Sequence, residues 1–320
     1  MEPNRRSVLQ TAAASVGVAA LQADSAAAQA RFAVERSDDF LLIRDAQGRP
    51  LARYLFGKVP AGETAPAVPF TDYTHPVWTP AGMVITDVGA KDHPHHRGVF
   101  CAWIQAEGVR NGDWWGWGQR APKAGRTIVN RAARSPTADG RSAGVEAVNV
   151  WMAEDAQILV ETVRMRAHLA RGHHLLDYVY TFRPASARAV VLGRQPFGGF
   201  CYRAQPRGGI VISDSWGALD RANADPDDPA KNWPARPWYD FSTTAADGKT
   251  VGGAVFDHPK NPISSWHIVR AAHMLNPCIV RDGPYTIGAQ GLTLRYRVAA
   301  HDGPADIAAL DALATDFHHS

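Results

Sequence analysis

The chain has little cysteine. Cys101, Cys201 and Cys278 are the only three in 320 residues and lie far apart. They form no CxxC pair and no zinc-ribbon spacing, which excludes a disulfide-stapled or zinc-ribbon scaffold. The expectation is that they are buried as small hydrophobes. One disulfide is the alternative that an oxidising compartment allows. No run is long and apolar enough to span a bilayer as a helix. The net charge is only +3, with arginines scattered along the chain. The electrostatic footprint of a nucleic-acid binder is therefore missing. Also absent are a P-loop, a GxGxxG turn between strand and helix, an HExxH helix and a GxSxG elbow. Nucleotide binding through those loops, zincin chemistry and serine-hydrolase chemistry lose their usual signatures.

Long helical periodicity is nearly absent too, apart from the C-terminal end. There Pro304 precedes Ile307, Leu310 and Leu313 at helical spacing, which predicts one short helix. What the chain has instead is a series of short apolar or alternating runs. Phe40–Asp45 and Leu51–Phe56 flank a turn-like Ala46–Pro50. Val145–Met152, Ile158–His168, Leu175–Phe182, Gly209–Ser213, Gly252–Phe256 and Gly291–Ala299 follow. Turn residues separate them at regular intervals, as in sandwiches and barrels. The expected fold is all-β, a large antiparallel β-sandwich with a short C-terminal helix, in one domain over residues 31–320. Asn111–Arg126 and Ala222–Pro237 are long and irregular, where a β scaffold commonly builds its binding surfaces.

Residues 1–30 are expected to be a leader rather than part of the fold. Arg5-Arg6-Ser7-Val8-Leu9 is a twin-arginine start, an alanine-rich run follows, and Ala28-Gln29-Ala30 suits cleavage. The expected location is periplasmic or secreted.

Asp92-His93-Pro94-His95-His96-Arg97-Gly98 concentrates three imidazoles, a carboxylate and a guanidinium in seven residues. Such a cluster does acid–base chemistry, ligates a metal or grips a polar ligand. The plain alternative is a solvated loop with one structural histidine. Pro94 favours an extended His93, and an extended run would place His93 and His95 on one face and His96 on the other. A second constellation holds Asp257-His258-Pro259, Trp266-His267 and Asn276. The two Asp-His-Pro turns either converge on one pocket or are unrelated. Phe197-Gly198-Gly199-Phe200-Cys201-Tyr202-Arg203 suggests a bulge or a close ligand approach, with Arg203 as a planar fork for a polar ligand or a partner in a salt bridge. Trp114, Trp115 and Trp117 stand between glycines, and Trp216, Trp233, Trp238 and Trp266 add further indoles that suit either the core or the C–H face of a sugar.

These motifs resemble the bacterial PmoA-like domain family, the DUF6807 group. The landmarks are Tyr73-Thr74-His75-Pro76 with Thr79-Pro80-Ala81-Gly82, the first histidine motif, Trp115-Gly116, Phe256-Asp257-His258-Pro259 with Asn261-Pro262, Trp266-His267, Asn276-Pro277, and Leu294–Val298 before His301-Asp302-Gly303. They run across nearly all of residues 31–320. The label borrows the name of a membrane-bound methane monooxygenase subunit, and a chain without membrane spans does not carry that activity over. At the level of fold alone, the all-β pattern looks like the supersandwich of galactose mutarotases and related sugar lyases.

The functional expectation is a periplasmic enzyme acting on a sugar or glycoside by general acid–base catalysis, as hydrolase, lyase or epimerase. His93, His95, His96, His258 and His267 are the candidate acids and bases. Arg97, Trp115, Arg203, Trp266 and Asn276 are the candidate substrate contacts. Asp92 and Asp257 are expected to orient imidazoles. No cofactor is predicted, and a divalent metal on the histidines remains open. The expected partner is a small carbohydrate, with no nucleic acid and no membrane span. The competing classes are a non-catalytic carbohydrate binder and a metal-dependent oxidoreductase.

Overall fold

The computed structural model describes residues 31–57, 59–60, 69–106, 114–116, 125–219 and 233–320. Residues 1–30, expected to be a leader, Trp117 and most of both irregular stretches lie outside the described residues.

Two antiparallel sheets carry the fold. The first orders β1 (Ala33–Arg36), β2 (Phe40–Arg44), β3 (Pro50–Leu55), β6 (Tyr73–Val77), β7 (Val99–Ala102), β13 (Gly199–Arg203), β19 (Met274–Cys278) and β18 (Ser265–Val269). The second orders β15 (Gly217–Leu219), β14 (Ile210–Asp214), β16 (Trp238–Thr244), β17 (Thr250–Asp257), β21 (Leu292–Asp302), β11 (His173–Pro184), β10 (Ala156–Ala170), β9 (Ser142–Ala153) and β8 (Arg126–Arg134). Two small ribbons pair β4 (Val59–Pro60) with β5 (Pro69–Phe70) and β12 (Val190–Leu192) with β20 (Tyr285–Ile287). The fold is thus an all-β antiparallel sandwich closed by one helix, α1 (Ile307–His318).

Alternation decides which side chains enter the core. On β10, Leu159, Glu161, Val163, Met165 and Ala167 face inward. Phe200 of the first sheet stacks on Tyr296 of the second at 4.3 Å between centroids. Trp103, Trp151 and Phe182 interlock nearby, with centroids 4.8–5.8 Å apart. Cys101, Cys201 and Cys278 are free and buried in this core. The glycines before β13 serve the same packing. A Cβ on Gly198 would lie 3.1 Å from the indole of Trp103, so the close approach there is by a core tryptophan.

The helix starts later than Pro304, because Asp306 is extended and its side chain accepts from Ala309 N at 3.0 Å, an N-cap. Leu310, Leu313, Ala314 and Phe317 pack on Trp238, Phe256, Leu175 and Ala299, on the outer face of the second sheet. Arg297 ties the helix down. It forks onto Asp177 at 2.5 and 2.9 Å and donates to Leu313 O at 2.9 Å. Truncating Phe317 to Ala should cost about 3–5 kcal/mol, the range for a buried aromatic. Urea denaturation checks this, and a loss under about 1 kcal/mol would mean that the helix is not docked.

Candidate functional site

The histidine motif does not run extended. His96 N donates to His93 O at 2.9 Å, closing a turn. That brings His93 and His96 onto the same side, their rings stacked at 4.7 Å, with His95 edge-on to His96 at 4.6 Å. Gly98 ends the turn at φ +63°, and a Cβ there would meet Thr74 O at 2.3 Å. The backbone is sewn to both neighbours: Gly98 N donates to Asp87 O at 2.7 Å and Arg203 N to Gly98 O at 2.8 Å.

A cavity of about 120 Å³ opens beside this turn, lined by His93, His96, Trp115, Phe197, His267, Val269, Ala272 and Met274. Aromatic rings follow one another around it. Centroids are 6.0 Å apart for His96 and Trp115, 5.6 Å for Trp115 and Phe197, and 5.3 Å for Phe197 and His267. Imidazoles from opposite ends of the sequence thus share one hollow. Among the described residues no carboxylate lines it.

Asp92 and Arg203 set the first imidazole. Asp92 Oδ2 lies 2.8 Å from His93 Nδ1. The buried Arg203 guanidinium reaches Asp92 at 3.1 Å, Asp87 at 3.5 Å and the carbonyl of Ala272. Burial works to raise the Asp92 carboxyl, but the His93 hydrogen bond and the Arg203 charge outweigh it and bring it down to about 2. An ionised carboxylate only accepts, so Nδ1 of neutral His93 carries the proton and Nε2 bears the lone pair.

The other two lining imidazoles are held neutral. Burial, then the charges of His95, Arg203, His93 and Arg97, keep His96 well below its ordinary value. Burial and then Arg281 bring His267 down to about 4. In both rings Nδ1 is sealed from solvent with no hydrogen-bond partner among the described residues. A buried orphan N–H is rarer than a buried orphan acceptor, which places the proton of each ring on Nε2.

Arg97 works from beneath. Its guanidinium contacts the carbonyls of His95, Trp115 and Trp114 at 3.4–3.5 Å and lies 4.3 Å from the Phe100 ring centre. It therefore positions the Trp115 segment rather than a ligand. Asp72 and Glu161 are both buried between the sheets, and each shifts the other's carboxyl. Tyr54 donates to Asp72 at 2.6 Å and Trp151 to Glu161 at 2.6 Å. Burial and the neighbouring Asp72 push Glu161 well above the carboxylate range, so it holds a proton. Glu161 sits in an otherwise regular β alternation, and only its inward phase on β10 signalled burial.

Several sequence candidates fall elsewhere. His258 lies under α1, its ring 5.0 Å from Phe317 and its Nδ1 accepting from Lys260 N at 3.0 Å. It does not line the cavity. Asp257 accepts from Asn261 at 2.7 Å, and burial raises it to about 6. It orients no imidazole of the site. The two Asp-His-Pro turns do not converge, because β17 delivers the second to the outer face of its sheet, where the helix covers it. Asn276 spends its amide on the backbone, accepting from Gly198 N at 3.0 Å and donating to the carbonyls of Gly198 and Phe200. Trp266 is fully buried and donates to Arg236 O at 3.2 Å. Strand alternation sends it away from the cavity that its neighbour His267 enters. Arg203 is buried and committed to carboxylates rather than to a ligand. Asp87, Ala272 and Met274 join the site without any motif to announce them, and Phe197 comes from the glycine motif before Arg203. Among the described residues no three His, Cys, Asp or Glu side chains are arranged to hold a metal, and no helix is long and apolar enough to cross a membrane.

The profile of a family of unknown function, DUF6807, matches residues 44–315. The chain belongs to that family. No curated protein matches it. Among solved structures, a GH36 alpha-galactosidase, AgaA from Geobacillus stearothermophilus, is similar at 11% identity and a TM-score of 0.40, covering 85% of this chain and 40% of that one. An alpha-galactosidase from Lactobacillus brevis gives 8% identity, a TM-score of 0.40, and 84% and 39% coverage. This DUF6807 chain spans about 40% of the length of those enzymes.

The neutral imidazoles have a consequence for stability. The folded-state pKa of His267, about 4, lies below its unfolded value. The unfolded chain therefore takes up that proton first as the pH falls, and stability is lost from about pH 6.5 down to the folded value. The denaturation free energy should fall across this window, and His267→Gln should flatten the slope by about 1.4 kcal/mol per pH unit. Identical slopes in both proteins would contradict the burial of a neutral ring.

Proposed function

We propose that the chain is an exported, carbohydrate-directed enzyme that moves protons with imidazoles. The single observation that carries this is the Asp92–His93 pair placed on one hollow with two neutral imidazoles and an aromatic wall. His93 Nε2, which bears the lone pair in the tautomer that Asp92 imposes, is the base. His96 and His267, with N–H at Nε2, are donors to negative charge developing on a substrate oxygen. Neutral imidazoles suit this task, because they donate without having to lose a full proton. Trp115 and Phe197 offer apolar surface to the C–H face of a sugar.

This arrangement favours proton abstraction, in a lyase or epimerase, over glycoside hydrolysis by paired carboxylates. Hydrolysis of that kind needs two carboxyl groups at the bond. Here the carboxylates beside the hollow, Asp87 and Asp92, are bound to Arg203. The cavity is also smaller than the roughly 300–1,000 Å³ of pockets for drug-sized ligands, which suits the reacting part of a sugar with the remainder outside. The twin-arginine pattern at Arg5-Arg6 supports export to the periplasm.

Proton NMR in D₂O over a panel of free sugars, glycosides and uronides detects elimination, epimerisation and hydrolysis alike. Conversion of at least one substrate is expected, unaffected by a chelator. His93→Ala and His267→Ala should each lower turnover about 10²–10⁴-fold, with an unchanged fold by circular dichroism. Binding without conversion across the panel, or wild-type turnover in the double variant, would overturn the enzymatic reading.

A further inference from the structure

Trp216 stands apart from the other late tryptophans. Trp233, Trp238 and Trp266 are buried, whereas Trp216 is 77% exposed. It lies in the turn between β14 and β15, at the edge of the second sheet. Its surroundings are nonetheless built. The buried Asp214 carboxylate accepts from Trp216 N at 2.8 Å and from Arg236 Nε at 3.2 Å. The Arg236 guanidinium carbon sits 3.8 Å from the centre of the Trp216 ring. One carboxylate therefore fixes both the backbone under the indole and the cation on one of its faces. Leu219, Pro234 and Tyr239 complete a hollow of about 260 Å³. Among the described residues Arg236 Nη1 reaches only its neighbour Ala235 O, at 3.4 Å, so toward them the outer edge of the fork keeps donors to offer.

This hollow and the imidazole cavity are tied to the same strand, β18, and the turn after it. Trp266 donates to Arg236 O at 3.2 Å, while the next residue on β18, His267, lines the cavity. Arg270, just beyond β18, donates to Leu219 O at 3.2 Å and to Ile210 O at 3.0 Å. Val269 and Ala272, on either side of it in sequence, line the cavity. The two hollows are built on opposite sides of one strand and its turn.

We propose that Trp216, Arg236 and Asp214 form a second carbohydrate subsite, which holds one pyranose ring of a longer glycan. A pyranose has an apolar C–H face and a rim of hydroxyls. The indole supplies a flat apolar partner and the fixed guanidinium supplies planar donors beside it. A purely apolar occupant would leave those donors without use. The proposal rests on the carbohydrate reading of the neighbouring cavity, and it extends the substrate class from a free sugar to an oligo- or polysaccharide.

The test is native affinity electrophoresis of the full chain in gels containing xylan, glucomannan, galactan or polygalacturonate. Retardation is expected in at least one gel. Trp216→Ala should weaken it at least tenfold, and Trp216→Phe should keep part of it. The thermal midpoint of Trp216→Ala should be unchanged, since the side chain is exposed. The His93→Ala/His267→Ala double variant should still be retarded, which separates failure of this subsite from failure of the acid–base site. No retardation in any gel, or equal retardation of wild type and Trp216→Ala, would overturn the proposal. So would self-association in sedimentation velocity that Trp216→Ala abolishes, which would assign the surface to a second copy of the chain.

Discussion

The candidate site depends on one buried cation. Arg203 ends β13, inside the first sheet, and its side chain is 1% exposed. A guanidinium in that position costs several kcal/mol unless it is paired and its donors are used. The chain meets that demand from two separate segments: Asp87 and Asp92 before β7, and the carbonyl of Ala272 after β18. Satisfying the cation therefore draws the histidine turn and the β18–β19 connection to the same point. The cavity is the space left between them. Its two imidazole-bearing walls belong to residues 93–96 and 267–274, which share no sequence proximity and meet through Arg203.

A second guanidinium repeats the logic one layer deeper. Arg97 is buried beneath the turn and spans the carbonyls of His95, Trp114 and Trp115. Its charge is felt by Asp72 and Glu161, which share the core with Tyr54, Asn149 and Trp151. Two carboxyls that close cannot both ionise in a low-dielectric interior, so one keeps its proton. The residual charge on the pair balances Arg97. The aromatic wall of the site thus stands on a cation whose charge is felt by a buried acid pair. His96 above stays neutral because burial, and then the charges of the neighbouring imidazoles and of both guanidiniums, disfavour its positive form.

Much of the fold was legible in the sequence, because alternation and turn residues are local signals. Ile158–His168 announced β10, and the Ile307, Leu310, Leu313 spacing announced the helix. The strands that escaped, such as β16, β18 and β19, carry buried polar residues or proline, which hide the alternation. In the site, the first histidine motif was visible from residue types alone, and so was the link from Asp92 to an imidazole. The pairing of His267 with that motif, and the exclusion of His258, were not legible. Both His258 and His267 follow an acidic or aromatic neighbour near proline, and only the sheet order tells which faces the cavity. Asn276 and Trp266 look like ligand contacts by type, yet the backbone of β13 and the carbonyl of Arg236 consume their polar atoms. Sequence shows which groups can do chemistry, and the hydrogen-bond ledger of the folded chain shows which remain free for it.

The central claim is that Arg203, through Asp92, fixes the protonation pattern of His93. Long-range ¹H–¹⁵N correlation of the His93 ring near neutral pH tests it most directly. The account predicts the Nδ1–H tautomer in the wild-type protein and its loss to the Nε2–H form, or to a mixture, in Arg203→Met. A wild-type ring already protonated at Nε2, or a tautomer indifferent to the loss of Arg203, would contradict it.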